Sequence, residues 1–200
     1  MRKMWLIPLI AVVAIAAFCI WWFRYDTYHF AAVADGVLYR DGVRSQRTFE
    51  NTARRARFKT IVRLIDLNEQ QTEPFIGEAA WCKANGVEII EIPIRLGGWP
   101  TAEQVSRFLS VAADRSHQPV LLHCAQGVRR TGMMVAAYQE SVQGFDKDRA
   151  KSAILRFGHS DRSIGDVKKF IDLYDPTTKA VPENLPMGKE GSAGTPNFVE

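Results

Sequence analysis

Pro119-Val120-Leu121-Leu122-His123-Cys124-Ala125-Gln126-Gly127-Val128-Arg129-Arg130-Thr131-Gly132 is the stretch that decides the fold. An apolar run enters it, Gly127 marks a short loop, and Met133-Met134-Val135-Ala136-Ala137-Tyr138 carries the chain onward as a helix. A buried strand that turns through a tight loop into a helix converges backbone N–H groups on one point. The helix adds the positive end of its dipole there, so the point suits an anion.

The side chains supply the chemistry. A cysteine at the base of such a loop has a depressed pKa and is partly thiolate, which makes Cys124 a nucleophile. Arg130 follows six positions later, so the loop can curl around a tetrahedral group with sulfur beneath it and the guanidinium over its oxygens. A planar fork of fixed donors matches two phosphate oxygens in a way that Lys does not. The phosphate-binding residues are then Ala125, Gln126, Gly127, Val128, Arg129 and Arg130, with Gly127 relaxing the turn into a nest of N–H groups. Thr131 sets a hydroxyl next to the sulfur to stabilise it as a leaving group. His123 orients the loop by hydrogen bonding. The predicted reaction is phosphoryl transfer to Cys124 and then to water.

The pattern His-Cys, five residues, Arg-Thr-Gly resembles the signature of the cysteine-dependent protein tyrosine phosphatases, and the short chain resembles their dual-specificity-like branch, in a bacterial membrane-anchored form. The resemblance covers roughly residues 30–174. It implies an α/β fold with a central, mostly parallel sheet flanked by helices, and hydrolysis of phosphate monoesters through a phosphocysteine, with no cofactor and no metal. One departure stands out. Such phosphatases carry an aspartate as general acid on the loop before the helix that leads to the catalytic strand, and Arg95-Leu96-Gly97-Gly98-Trp99-Pro100 has none. Glu103, Asp66 and Glu91 are the carboxylates whose position in sequence offers a replacement, although each also suits a cap or a surface role. Without an acid, a phenolate of pKa about 10 leaves more readily than an alkoxide, which favours phosphotyrosine. Trp99 is a candidate for the pocket mouth.

The rest of the chain supports the fold class. Asp35-Gly36 between apolar residues predicts a hairpin, and Thr48 to Arg57 reads as a helix. Thr60 to Ile65 reads as a strand, Glu73 to Ala84 as a helix and Val87 to Ile94 as a strand. Thr101 and Gln104 open a helix as a capping box running to about Arg115. Two further helices are predicted, from Phe145 to about Phe157 and, capped by Asp161 or Ser163, to Leu173. His159 and Asp161 fall in the loop between them, where a turn and cap are expected rather than catalysis. From 175 to 200 Pro, Gly, Ser and charges dominate, which predicts a disordered tail.

Residues 1–3 form a short basic N-terminus, and 4–23 an uncharged apolar run as long as a bilayer core requires, read as a transmembrane signal anchor. Trp21-Trp22-Phe23-Arg24 is a poor cleavage site, which disfavours a cleaved signal peptide, and Phe18 disfavours lipid attachment at Cys19. Arg2 and Lys3 put the N-terminus in the cytoplasm, and in a bacterium that places the domain after the 24–29 linker in the periplasm, on the inner membrane. Arg40, Arg44, Arg47, Arg54, Arg55, Arg57, Lys59 and Arg63 make a basic segment, which is either a lipid-headgroup surface or a solvated helix face. The net charge of +4 comes with no nucleic-acid recognition motif, so nucleic acid is not an expected partner. Three functions remain open: a phosphoprotein phosphatase, a lipid-phosphate phosphatase acting on phosphatidylglycerophosphate, a phosphoinositide or lipid A, and a phosphate-binding pseudophosphatase.

Overall fold

Val120, Leu121 and Leu122 are fully buried, side chains on both faces of the strand included, as a central strand of a sheet covered on two sides requires. The computed structural model describes residues 12–19, 27–155, 157 and 164–182. Its sheet has five strands in the order β1-β2-β5-β3-β4. They are β1 (Ala31–Ala34), β2 (Leu38–Gly42), β3 (Thr60–Arg63), β4 (Glu88–Glu91) and β5 (Val120–Cys124). The first two form the expected hairpin and pair antiparallel; all other pairs are parallel. Cys124 lies opposite Gly42 on β2, and His123 lies opposite Arg63 on β3. The nucleophile candidate thus ends the middle strand, at the carboxyl edge of the sheet where open α/β folds place their ligands.

The helices are α1 (residues 12–19), α2 (Gln46–Ala56), α3 (Phe75–Asn85), α4 (Ala102–Ala113), α5 (Arg129–Ser141), α6 (Lys147–Leu155) and α7 (Gly165–Leu173). Helix α2 begins two residues before Thr48, because Ser45 and Thr48 form a reciprocal capping box. Thr101 and Gln104 do the same for α4, as expected. Helices α2 and α3 pack together, while α4, α6 and α7 gather around α5. Phe49, Phe58 and Trp81 meet in the first group, Phe108 and Tyr138 in the second. Enclosure explains why α5 shows no clean polar face in sequence: Arg130 through Glu140 are all buried.

Several boundaries shift. Strands β3 and β4 stop at Arg63 and Glu91, and a 3-10 turn at Glu69–Gln71 interrupts what reads as plain loop before α3. Within the 175–200 segment, the described residues 175–182 begin with a folded turn. Asp175 bridges Ala180, its Oδ1 accepts from the Thr177 N–H at 2.8 Å, and Val181 packs on the core. An Asx turn and one apolar contact therefore order 176–182. His159, Asp161 and Ser163 lie outside the described residues. The expected membrane span over 4–23 falls largely outside them too. Of it, 12–19 form α1, which is exposed, and among the described residues no helix is long and apolar enough to cross a membrane.

The basic segment is not one surface. Arg44, Arg47, Arg54, Arg55, Arg57 and Lys59 are exposed, whereas Arg40 and Arg63 are buried. Arg40 turns under the loop after Cys124 and donates to the Gly127 carbonyl, whereas Arg63 pairs with Glu78 on α3 and Glu91 on β4.

Candidate active site

The chain leaves β5 at Cys124, turns through 125–128 and enters α5 at Arg129. No side chain caps α5, so its first N–H groups are left for an anion. The direction of the loop's peptide groups is set from outside. The Gln126 carbonyl accepts from His29 Nδ1 at 2.8 Å, and the Gly127 carbonyl accepts from Arg40 Nη2. With consecutive carbonyls held outward, the intervening N–H groups face the cup above sulfur. The Gly127 N–H itself donates to Cys124 Sγ at 3.2 Å.

Close backbone contact requires the glycines here. Gly127 has φ +65°, and a Cβ on it would stand 2.5 Å from the Asp41 carbonyl oxygen and 2.7 Å from Gly42 N. A Cβ on Gly42 would reach within 2.6 Å of the Gln126 carbonyl. Gly127→Ala is therefore expected to displace the loop, costing about 1–3 kcal/mol by overpacking, with left-handed strain in addition. A lowered Tm together with reduced phosphate release checks this; no change in either would contradict it.

Cys124 is nearly fully buried. Burial pushes its thiol up, but the Arg130 guanidinium, the Thr131 hydroxyl and the N–H groups of Thr131 and Gly127 outweigh that, and the thiol titrates below its ordinary value. Thr131 Oγ1 is buried with no oxygen or nitrogen partner, so its proton is free for the sulfur. Arg130 is held in a fork by Glu69. Its Nη1 pairs with Glu69 Oε2, its Nη2 with Oε1 at 2.8 Å, and Nη1 also approaches the carbonyls of Leu64 and Ile94, each at 3.4 Å. Burial disfavours charge on both partners, but mutual pairing keeps Arg130 raised and Glu69 lowered, so both are ionised near neutral pH.

Behind the cup lies a buried charge cluster. Glu78 is fully buried between Arg63 Nη1 (3.3 Å) and His123 Nε2 (3.1 Å), and Arg63 also pairs with Glu91. Burial lowers the His123 pKa, yet Glu78 first, then Asp41 and Cys124, raise it overall. The raised pKa favours a proton on His123, set among one arginine and two glutamates. The His123 ring turns to Glu78 on α3 and not to the loop after Cys124. Removing one partner of such a cluster strands a buried charge, which typically costs about 3–5 kcal/mol.

Burial pushes the Asp41 carboxyl up to about 7, although the Thr52 hydroxyl (2.6 Å), the Gly42 N–H and the charges of His123 and Arg40 all pull it down. A raised acid binds a proton in the folded state that the unfolded chain has released. Its contribution to stability is complete below 3.8 and is lost as pH rises through about 7. Asp41→Asn removes this slope. Urea unfolding of both proteins is expected to show wild type losing stability relative to the variant between about pH 4 and about pH 7. A pH-independent difference would contradict it.

Other sequence candidates separate. The Arg129 guanidinium does not join the cup: its Nε donates to Asp166 Oδ2 on α7 at 2.7 Å, because the side chain leaves the outer face of the first turn of α5. Trp99 packs edge-on against Phe170 at 6.1 Å with Lys169 over its ring, and so fixes its loop to α7. Glu103 is exposed on the first turn of α4, and no hydrogen bond or ion pair ties it to the cup among the described residues. Glu91 is committed through Oε1 to Arg63 and through Oε2 to Gln70 at 3.0 Å. His29, Arg40, Glu69 and Glu78 are absent from the sequence reading of the site. His29 and Arg40 lie 97 and 87 positions from the loop atoms they hold, beyond any local motif.

Cys124 ends the central strand with the Gly127 N–H on its sulfur and with Arg130, held by Glu69, lowering its pKa, which is the arrangement of a nucleophile facing an anion site. More particularly, the family model described as "DSP-PTPase phosphatase fused to NAD+ Kinase" matches residues 34–172, and the chain belongs to that family. Among curated relatives, "Probable NAD kinase 2, chloroplastic" of Oryza sativa subsp. japonica is 34% identical over 88 residues, 42% of this chain and 9% of that protein. The dual specificity protein phosphatase TpbA of Pseudomonas aeruginosa (strain UCBPP-PA14) is 31% identical over 107 residues, 54% of this chain and 45% of that one. The chain thus spans less than half the length of either relative. The core catalytic domain of the PP-IP phosphatase SIW14 from S. cerevisiae shares the fold, with a TM-score of 0.63 at 22% identity over 74% of this chain and 86% of that chain.

Proposed function

We propose that the chain hydrolyses phosphate monoesters by way of a phosphocysteine at Cys124, most directly as a protein tyrosine or dual-specificity phosphatase. The observation that carries this is the cup itself: Cys124 with a lowered pKa, N–H groups turned inward, and Arg130 held by Glu69. The thiolate attacks phosphorus, the S–P bond forms and the P–O bond breaks. N–H groups and Arg130 hold the phosphoryl oxygens where charge shifts. Water then attacks phosphorus, the S–P bond breaks, and Thr131 receives the departing sulfur with a hydrogen bond. TpbA, a relative named for dual specificity, supports the protein-substrate assignment.

A lipid phosphate is the second reading, and one observation favours it. Leu67 and Leu96 are 62% and 66% exposed on the two chain segments whose Leu64 and Ile94 carbonyls touch Arg130, so apolar side chains stand at the rim. Anchoring through the apolar run 4–23 fits such a substrate and belongs to the same proposal. The test is phosphate release by the full chain in detergent micelles from an aryl phosphate, a phosphotyrosine peptide and phosphatidylglycerophosphate. Release from the first two is expected. Preference for the lipid would replace the substrate class, and silence of the folded protein on all three would make it a phosphate-binding module.

A further inference from the structure

We propose that Asp66 is the general acid, the residue that protonates the oxygen leaving phosphorus when Cys124 attacks. The assignment rests on the phosphatase function proposed above and names the group that its usual loop lacks. In strand register, Arg63 lies opposite His123, and the Leu64 N–H donates to the His123 carbonyl at 2.9 Å. Leu64 is thus level with Cys124, and Asp66 lies two residues farther in the same direction. Asp66 therefore stands past the end of β3, at the open carboxyl edge of the sheet on which Cys124 also ends.

Asp66 is also pinned to the cup. Its N–H donates at 2.8 Å to Glu69 Oε2, the same oxygen that receives Arg130 Nη1. Two hydrogen bonds in series keep the Asp66 backbone within about 6 Å of the guanidinium. Its carbonyl accepts from the N–H groups of Glu69 at 3.0 Å and Gln70 at 3.3 Å, which closes the 3-10 turn and fixes the residue.

The neighbouring carboxylates are engaged. Glu69 spends both oxygens on Arg130, Glu91 is divided between Arg63 and Gln70, and Glu78 is sealed between Arg63 and His123. Asp41 is buried beneath the loop against Thr52, and Asp166 holds Arg129. The Asp66 side chain is half-buried, and among the described residues no hydrogen bond or ion pair engages it. Among the described residues, Asp66 is the carboxylate tied to Arg130 through Glu69 whose own oxygens are left to exchange a proton.

The protons balance. As S–P forms and P–O breaks, the electron pair goes to the leaving oxygen, which takes the Asp66 proton and departs as an alcohol or phenol. The Asp66 carboxylate then takes a proton from the attacking water, the new P–O bond forms, and sulfur leaves as thiolate. This restores both groups and extends the substrate range from phenolates to alkoxides, such as phosphoserine or a glycerol phosphate.

The experiment measures kcat/KM of the full chain and of Asp66→Asn and Asp66→Glu on aryl phosphates of graded leaving-group pKa and on one alkyl phosphate. Asp66→Asn is expected to lose less than about 3-fold on the most acidic phenol and about 10²–10³-fold on the alkyl ester. It should also lose the fall in kcat/KM at high pH, and Asp66→Glu should recover part of both. A loss equal across the series, with the pH profile kept, would make Asp66 merely structural and overturn the proposal, as would no loss. Wild-type silence on every substrate would instead remove the phosphatase function itself and Asp66's role with it.

Discussion

Arg130→Lys is expected to lower kcat/KM by about 10³-fold, roughly 4 kcal/mol of transition-state stabilisation, although the charge is kept. The structure explains why charge is not enough. Arg130 engages Glu69 through two nitrogens while Nη1 also approaches the Leu64 and Ile94 carbonyls, so one edge of a rigid fork is fixed and the rest is left for the cup. A lysine ammonium can pair with Glu69 or reach a phosphoryl oxygen, but it cannot do both in one plane. The loss should fall mainly on kcat, because the equatorial oxygens carry most of their charge shift in the transition state. Thiol titration by a small alkylating reagent separates the contributions. Arg130→Lys should keep much of the depressed Cys124 pKa, whereas Arg130→Ala should lose it. Equal kcat for arginine and lysine would contradict the fork.

Cys124→Ser is expected to abolish turnover, by at least about 10⁴-fold, with the fold intact. Oxygen is smaller than sulfur and fits the site. Its hydroxyl, however, stays protonated at neutral pH, and the N–H of Gly127, the Thr131 hydroxyl and Arg130 cannot bring it to an alkoxide. Because the cup is otherwise unchanged, the variant should still bind inorganic phosphate and an aryl phosphate, measurable by calorimetry. Loss of binding together with turnover would mean that the sulfur holds the loop in shape instead of acting as nucleophile.

The part of this site that sequence makes legible is the part built by neighbours in the chain. Cys124, Gly127, Arg130 and Thr131 sit within eight consecutive positions, and strand, loop and helix order follows from apolar runs and one glycine. The capping box of Thr101 and Gln104 was legible for the same reason, since its geometry spans four residues. What sequence hides is whatever the sheet brings together from afar. Arg40 and Arg63 look like members of a solvated basic run because the spacing of arginines is visible and the inward alternation of two short strands is not. Glu69 and Glu78 look like ordinary helix and loop acids. They become the partners of Arg130, Arg63 and His123 only once β3 lies beside β5. Arg129 shows the converse case. Its place in the signature loop suggests phosphate contact, while its side chain leaves on the outer face of α5 toward Asp166, 37 positions away.

The same physics connects fold to function. β5 is placed between β2 and β3, and each neighbour supplies what the loop after Cys124 lacks. From β2 come Arg40 and Gly42, which shape the back of the loop; from the turn after β3 comes Glu69, which holds the arginine and takes the Asp66 N–H. His29, from the segment just before β1, adds the last outward restraint on Gln126. The catalytic cup is therefore a property of the whole carboxyl edge of the sheet and not of the signature alone.

The most direct test of the central claim is a search for the covalent intermediate. The full chain is mixed with an aryl phosphate, quenched in acid within the first turnovers, digested and analysed by mass spectrometry. A phosphoryl adduct on the peptide carrying Cys124, present in wild type, absent in Cys124→Ser and decaying at the rate of phosphate release, is the predicted result. Steady phosphate release with no adduct on Cys124, or release that persists in Cys124→Ser, would contradict the account.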